Sequence, residues 1–366
     1  MKKILAFLLG FALLLPLAAC GGTTATTTPA GTTAAPAAAG KVHVFYYDYG
    51  DTYIASVRDA MDKALNDAGL EFQNYDAQNN QTTQSEQVAT AVQSASLLVV
   101  NYVQTSATDP AQDIVDKAKA AGIPVIFFNR EVPNELINSY EKATFVGTDA
   151  AEAGHLQGKM VGDYVLANFD KVDLNGDGKI SYVMFKGENG NNESEMRTQY
   201  GVEDADAVLT AAGKPALVYF DAAASSKFQV DMGGKWSAQA AQEYMSTNLA
   251  TFSVANNNMI ELVICNNDGM AEGAISALND AGYNTGDAAK MIPVFGVDAT
   301  DSAKSLIADG KMTGTVKQDA EGMAVTIVEM AKNAAAGKDF FDGITGLNID
   351  DEASKVRIPY QPYTGE

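Results

Sequence analysis

The sequence predicts an α/β protein of two lobes, each built on a doubly wound, mainly parallel sheet. Two observations predict it. From Lys41 onward, short runs rich in β-branched and aromatic residues alternate with longer stretches of helical period, the signature of repeated strand–helix units. The chain is 366 residues long and 46% hydrophobic, enough for two domains with a core each at roughly 100–200 residues per domain.

The elements follow in order. Residues 42–47 read as the first strand, and the stretch after it places Ile54, Val57, Met61 and Leu65 on one helical face. The run 97–103 is a strand, followed by a helix carrying Ile114 and Ala118 that Gly122 ends. Residues 123–129 form the next strand, with Pro124 among its first residues, where a missing N–H is tolerated. The strand at 144–147 leads into a helix around 155–169. Four more strand–helix units follow: 179–186 with 195–212, 216–220 with 237–249, 261–266 with 270–281, and 292–297 with 302–308. Strands separated by helices pair in parallel, with helices on both faces, and ligands of such sheets sit beyond the carboxyl ends of the strands.

Residues 1–20 do not read as part of the fold. Lys2 and Lys3 precede an apolar run, 4–15, broken only by Gly10 and short of the about 20 residues that span a bilayer. This is a secretory leader. Its end, Leu17-Ala18-Ala19-Cys20, resembles a bacterial lipobox, in which the cysteine is diacylglycerylated and becomes the mature N-terminus. The competing reading is a plain Ala-x-Ala cleavage site with an incidental cysteine. Residues 21–40 are Thr, Ala, Gly and Pro without charge, a flexible tether. The folded part is therefore expected outside the cytoplasm, held at the cell membrane by a lipid on Cys20. Cys265, the other cysteine, then has no internal disulfide partner and reads as buried and inert. The net charge of −21 disfavours binding of nucleic acid or anionic lipid by a basic patch.

Short amides and carboxylates stand at the predicted strand ends. Asp48 and Asp51 follow the first strand, Asn101 ends another, residues 188–192 follow a fourth, Asn266, Asn267 and Asp268 a fifth, and Asp298 a sixth. Carboxylates accept two or more hydrogen bonds and amides both donate and accept, which suits a ligand rich in hydroxyls. Helix capping favours the same residues at the same places. For a single residue capping serves equally well; for the whole set a polar cleft is the better reading.

Several segments fall in one order and spacing: Val146-Gly147-Thr148-Asp149, Asp173-Leu174-Asn175-Gly176-Asp177-Gly178, Lys186-Gly187-Glu188, Asn266-Asn267-Asp268, Pro293-Val294-Phe295-Gly296-Val297-Asp298 and Gly314-Thr315-Val316. By these the chain, from about residue 42 to 360, resembles the bacterial galactose/glucose-binding proteins of ABC sugar import, in the type I periplasmic-binding-protein superfamily. The resemblance implies two lobes joined by a three-strand hinge, 41–149 with 319–355 and 150–318 with 356–366, that close around one monosaccharide. The family binds its sugar flat between two aromatic rings. Tyr53 falls where the family has a phenylalanine. Trp236 falls at its stacking tryptophan, just after an apparent insertion at 221–235. Asp51 and Asn101 fall at sugar contacts of the first lobe, and Arg197, Asn267 and Asp298 at contacts of the second. Asn191 replaces a histidine, Glu193 an aspartate and Gln318 an asparagine. The implied ligand is a neutral hexose, galactose or glucose ahead of others. The implied partner is an ABC permease, and the chain is expected to be monomeric and to bind no nucleic acid.

The stretch Asp173-x-Asn175-x-Asp177-Gly178-Lys179-Ile180-Ser181 reads as the first nine positions of an EF-hand loop, with Lys179 ligating through its carbonyl. Position twelve would be Met184, which cannot ligate. The resemblance supplies a distant glutamate instead, at Glu261, and implies a structural calcium ion with Ser181 ligating through water. The alternative is a solvated Asp/Gly turn.

Two rival functions remain. An anchored glycoside hydrolase needs a carboxylate pair as acid and base. The only histidines, His43 and His155, fit neither a triad nor a zinc pattern, and no Gly-x-Ser-x-Gly, phosphate loop or dinucleotide fingerprint is present. A sugar sensor for a chemoreceptor or kinase would share the binding fold.

Overall fold

The computed structural model of the protein describes residues 40–365. The leader, Cys20 and all of the tether but Gly40 lie outside the described residues. In the first lobe, β1 (Lys41–Tyr46), β2 (Phe72–Asp76), β3 (Ala95–Val100), β4 (Val125–Phe128) and β5 (Ala143–Gly147) pair in parallel in the order β5-β4-β3-β1-β2. Between them run α1 (Thr52–Asp67), α2 (Gln81–Ala91), α3 (Asp109–Ala121) and the short α4 (Asn134–Asn138). Asp51 caps α1 by accepting from the Ile54 amide, and the apolar face of that helix is buried as its spacing requires. Gly122 ends α3 at φ 70°, the left-handed conformation that only glycine adopts cheaply. Val44 and Met61 belong to the core on one face of the sheet, Phe45, Ile114 and Phe127 to that on the other.

The second lobe begins with α5 (Ala150–Val172), β6 (Ser181–Lys186), α6 (Asn192–Ala211), β7 (Val218–Tyr219) and β8 (Gln229–Val230). It continues through α7 (Ala238–Leu249), β9 (Leu262–Cys265), α8 (Asp268–Asp280), β10 (Val294–Asp298), α9 (Asp301–Ala308) and β11 (Gly314–Lys317). Its parallel order is β11-β10-β9-β6-β7. The strand expected over 216–220 shrinks to two residues: β7 pairs with Ser181 and Tyr182, and β8, inside the 221–235 segment, continues along the same edge at Phe185 and Lys186. Gly154, Gly158 and Gly162 recur once per turn on α5. A Cβ at Gly154 would lie 2.6 Å from the Met196 carbonyl oxygen, so the glycines let α6 pack backbone against backbone.

The chain then returns to the first lobe. α10 (Ala320–Ala335) covers α1, and β12 (Asn348–Ile349) and β13 (Lys355–Arg357) extend the first sheet, β13 parallel to β5. Finally β14 (Gln361–Tyr363) pairs antiparallel with β11. The chain thus passes between the sheets three times, after β5, after β11 and after β13, the three-strand hinge expected of the fold. The third crossing falls at 358–360 rather than at 355–356, because all of β13, through Arg357, stays paired with β5. Among the described residues no helix is long and apolar enough to cross a membrane.

Candidate functional site

The carboxyl ends of the two sheets face each other across a cavity with about 350 Å³ of non-atom space, part of it open to solvent. From the first lobe come Tyr47, Asp51 and Tyr53 after β1, and Asn129 and Arg130 after β4. From the second come Asn191, Glu193 and Arg197 at the head of α6, Trp236 before α7, Asn267 after β9, Asp298 ending β10, and Gln318 after β11. Nine of the residues singled out in the sequence therefore line one cavity: Asp51, Tyr53, Asn191, Glu193, Arg197, Trp236, Asn267, Asp298 and Gln318.

Asn101 is the exception. It is fully buried behind the wall, where its Oδ1 accepts from the Tyr47 amide at 3.2 Å. Its Nδ2 donates to the Phe128 carbonyl and to Asn129 Oδ1. Both ends of the amide are engaged in positioning Tyr47 and Asn129, which the sequence reading had not placed at the site. Arg130 is the third such residue.

Local structure explains why these side chains converge. Asn191 and Asn267 cap α6 and α8, accepting from the Ser194 and Met270 amides at 2.9 Å, so capping and cavity lining coincide in one residue. Glu193 and Arg197, four apart, lie on one face of α6. Arg197 is held from three sides: Nη1 donates to the Asn266 carbonyl at 2.9 Å, and Nη2 to the Tyr360 hydroxyl at 2.7 Å and Gln318 Oε1 at 3.2 Å. Trp236 stands at φ 56° and its carbonyl accepts from Asn267 Nδ2. Its indole rests on Gly187, where any Cβ would overlap the ring. Asp298 and Ala299 both carry positive φ, 129° and 57°. That turn is clamped by Asp268, whose Oδ2 accepts from the Thr300 amide at 2.8 Å and whose Oδ1 accepts from the Thr315 hydroxyl at 2.6 Å.

Three carboxylates, Asp51, Glu193 and Asp298, and two guanidinium groups, Arg130 and Arg197, share this space. Burial raises the pKa of all three acids, and the Asp268 charge pushes Asp298 up further. Burial pushes Asp268 itself up to about 7. Six polar atoms of the wall are buried without a protein partner: Tyr53 Oη, Arg130 Nε, Glu193 Oε2, Arg197 Nε, Trp236 Nε1 and Gln318 Nε2. Such atoms are few in native proteins, and leaving each unpaired costs about 1–3 kcal/mol.

The loop at the start of β6 lies at the opposite end of the second sheet. Asp173 accepts from the Gly176, Asp177 and Gly178 amides at 2.7, 3.1 and 2.9 Å. Asn175 accepts from Asp177, and Asp177 from Lys179. The loop closes on Glu261, whose carboxylate accepts from the Leu174 and Asn175 amides and from Ser181. The oxygen-only donor set suits a hard cation. Its acidic oxygens face the loop's own amides, however, and among the described residues no three acidic, histidine or cysteine side chains are gathered tightly enough to hold a metal. His43 and His155 lie away from both places, His43 bonded to the Tyr75 hydroxyl and His155 to Asp204.

Comparison with known proteins agrees with this architecture. Residues 42–339 match the periplasmic binding protein domain family. The D-galactose/methyl-galactoside binding periplasmic protein MglB of Haemophilus influenzae is 36% identical over 88% of this chain and 89% of its own. An ABC transporter solute binding protein of Bacillus halodurans, solved with bound myo-inositol, has a TM-score of 0.66 at 26% identity over 89% of this chain and 95% of its own. One from Actinobacillus succinogenes with bound D-allose shares the fold, with a TM-score of 0.68 at 17% identity over 89% of this chain and 98% of its own. The chain therefore belongs to the periplasmic binding protein family, whose members are extracytoplasmic solute-binding proteins and not enzymes.

Proposed function

We propose that this protein captures one neutral monosaccharide, galactose or glucose, by closing its lobes on it and presents it to an ABC permease. The observation that carries the reading is the set of six unpartnered polar atoms in one cavity, contributed by both lobes. A pyranose offers hydroxyls around its rim that donate and accept, and C–H faces that pack on rings such as Tyr53 and Trp236. The two guanidinium groups against three carboxylates with raised pKa suit a ligand without charge of its own. The galactose-binding relative from Haemophilus influenzae supports the hexose.

Isothermal calorimetry with a panel of hexoses, pentoses and polyols tests this. Galactose or glucose binds most tightly, and Asp298→Ala weakens that binding by about tenfold or more, the 1–3 kcal/mol of a lost hydroxyl partner. Absence of heat with every sugar rejects the reading. Two further proposals accompany it. Asp173, Asn175, Asp177, the Lys179 carbonyl and Glu261 hold a structural calcium ion, supported by the oxygen donor set and the closure of the loop on Glu261. A diacylglyceryl group on Cys20 holds the chain at the membrane, supported by the sequence of the leader.

A further inference from the structure

Arg130 is a cavity residue that the resemblance does not assign, and it reaches across the cleft. Its guanidinium carbon lies 4.2 Å from the centroid of the Tyr47 ring, and Nη2 donates to the Val103 carbonyl at 2.8 Å within the first lobe. The same nitrogen meets Glu188 Oε2, in the second lobe, at 2.5 Å. The side chains are 5% and 19% exposed, so the pair is shielded from salt. The other ion pairs across the lobe boundary among the described residues, Lys235 with Asp48 at 3.8 Å and Lys317 with Asp319 at 3.7 Å in the hinge, leave their lysines exposed and contribute little. Tyr47, under the guanidinium, donates its hydroxyl to Asp51 Oδ2 at 2.6 Å. A continuous chain of contacts thus runs from the Asp51 carboxylate through Tyr47 and Arg130 to the opposite lobe.

We propose that Arg130 and Glu188 form a clasp that sets the affinity of the site by holding the lobes shut, independently of which sugar is bound. The clasp rests on the reading of the cavity as a site closed by lobe movement. Glu188 is not part of the cavity wall, so a direct contact with the ligand does not enter, and a loss of closure is read from the lobe separation as well as from affinity. Removing its charge leaves Arg130 buried with a single strong partner in the closed form, whereas in an open form water takes Glu188's place.

The test is Glu188→Gln in the full chain, with two readouts. In calorimetry and stopped-flow, the dissociation constant rises about 10- to 100-fold, the change lies in the dissociation rate, and the ratio between any two sugars stays as in the wild type. In ligand-free protein, spin labels at Lys63→Cys on α1 and Lys159→Cys on α5, both exposed positions, report the lobe separation, and Glu188→Gln depletes the short-distance population. Unchanged affinity with normal sugar binding overturns the clasp and leaves the sugar reading intact. A shifted ratio between sugars also overturns it, because Glu188 would then act on the ligand itself. A wild type that binds no sugar but loses its short-distance population in Glu188→Gln keeps the clasp and rejects the sugar reading. Neither binding nor a short-distance population rejects both.

Discussion

Asp51 has both carboxylate oxygens engaged, Oδ1 with the Ile54 amide at 2.9 Å and Oδ2 with the Tyr47 hydroxyl at 2.6 Å, yet it still faces the cavity. Its orientation is fixed before any ligand arrives, which lowers the entropy lost on binding. Asp268 does the same for Asp298 from behind, at an electrostatic cost. Its carboxyl is raised to about 7 by burial, against about 3.9 in an unfolded chain. The folded state therefore holds this proton more tightly than the unfolded state. The stabilisation is fully present below about pH 3.9 and is lost as pH rises through about 7. The thermal midpoint of the wild type, taken relative to Asp268→Asn, rises as pH falls from 8 to 5; a difference that stays constant across that range would refute the assignment. At this scale the polar residues that follow recognised strands carried most of the signal, with Asn101 behind the wall as the exception. Asn129 and Arg130 directly follow β4, so the same rule reaches them although it was applied only to other strand ends. Tyr47 carried no such signal, because an aromatic residue closing an apolar strand reads as core, and at 1% exposure it is core as well as wall.

The long apolar runs, such as those of β3 and β4, announce their elements, because strands covered on both faces need no polar alternation. α2 does not: its sequence QTTQSEQVATA buries only Gln84, Val88 and Ala91, too few for a readable period. β8 is two residues and falls below any pattern length, and β7, also two, keeps only part of the strand its apolar run predicts. The turn between α5 and β6 is the opposite case, legible by its oxygen spacing although its closing carboxylate, Glu261, comes from the start of another strand. Ligation there would tie the end of α5 to the edges of β6 and β9. Calcium at a hundred times its dissociation constant adds about 2.7 kcal/mol to folding, several degrees in the melting midpoint. A chelator reverses this, and a midpoint indifferent to both at millimolar calcium rules the ion out.

On the scale of the whole molecule, cavity, clasp and hinge all lie on the side where the strands of both sheets end, while the 173–181 turn lies on the other. The Arg197–Tyr360 contact joins cavity and hinge directly, since Tyr360 sits on the third crossing and also accepts from the Thr148 hydroxyl on the first. The proposed lipid attachment is a matter for the intact chain. Cys20→Ser moves the exported protein from the membrane fraction to the soluble one without altering sugar affinity, and a variant still recovered with membranes would exclude the anchor.

The return of the chain to its first sheet has a consequence for biogenesis. Ile54, Val57 and Met61 on α1 are covered by Met323, Ile327 and Met330 on α10, from the far end of the sequence. In a polypeptide emerging N-terminus first, from a ribosome or a translocation pore, α1 can pack early on β1 and β3, but the part of its apolar stripe that α10 covers stays bare until almost everything else has followed. The uninterrupted stretch from α5 to β11 is the earliest that can complete its own parallel sheet. The lobe that emerges first is thereby the last to be completed, and the non-local contacts that finish it slow its folding.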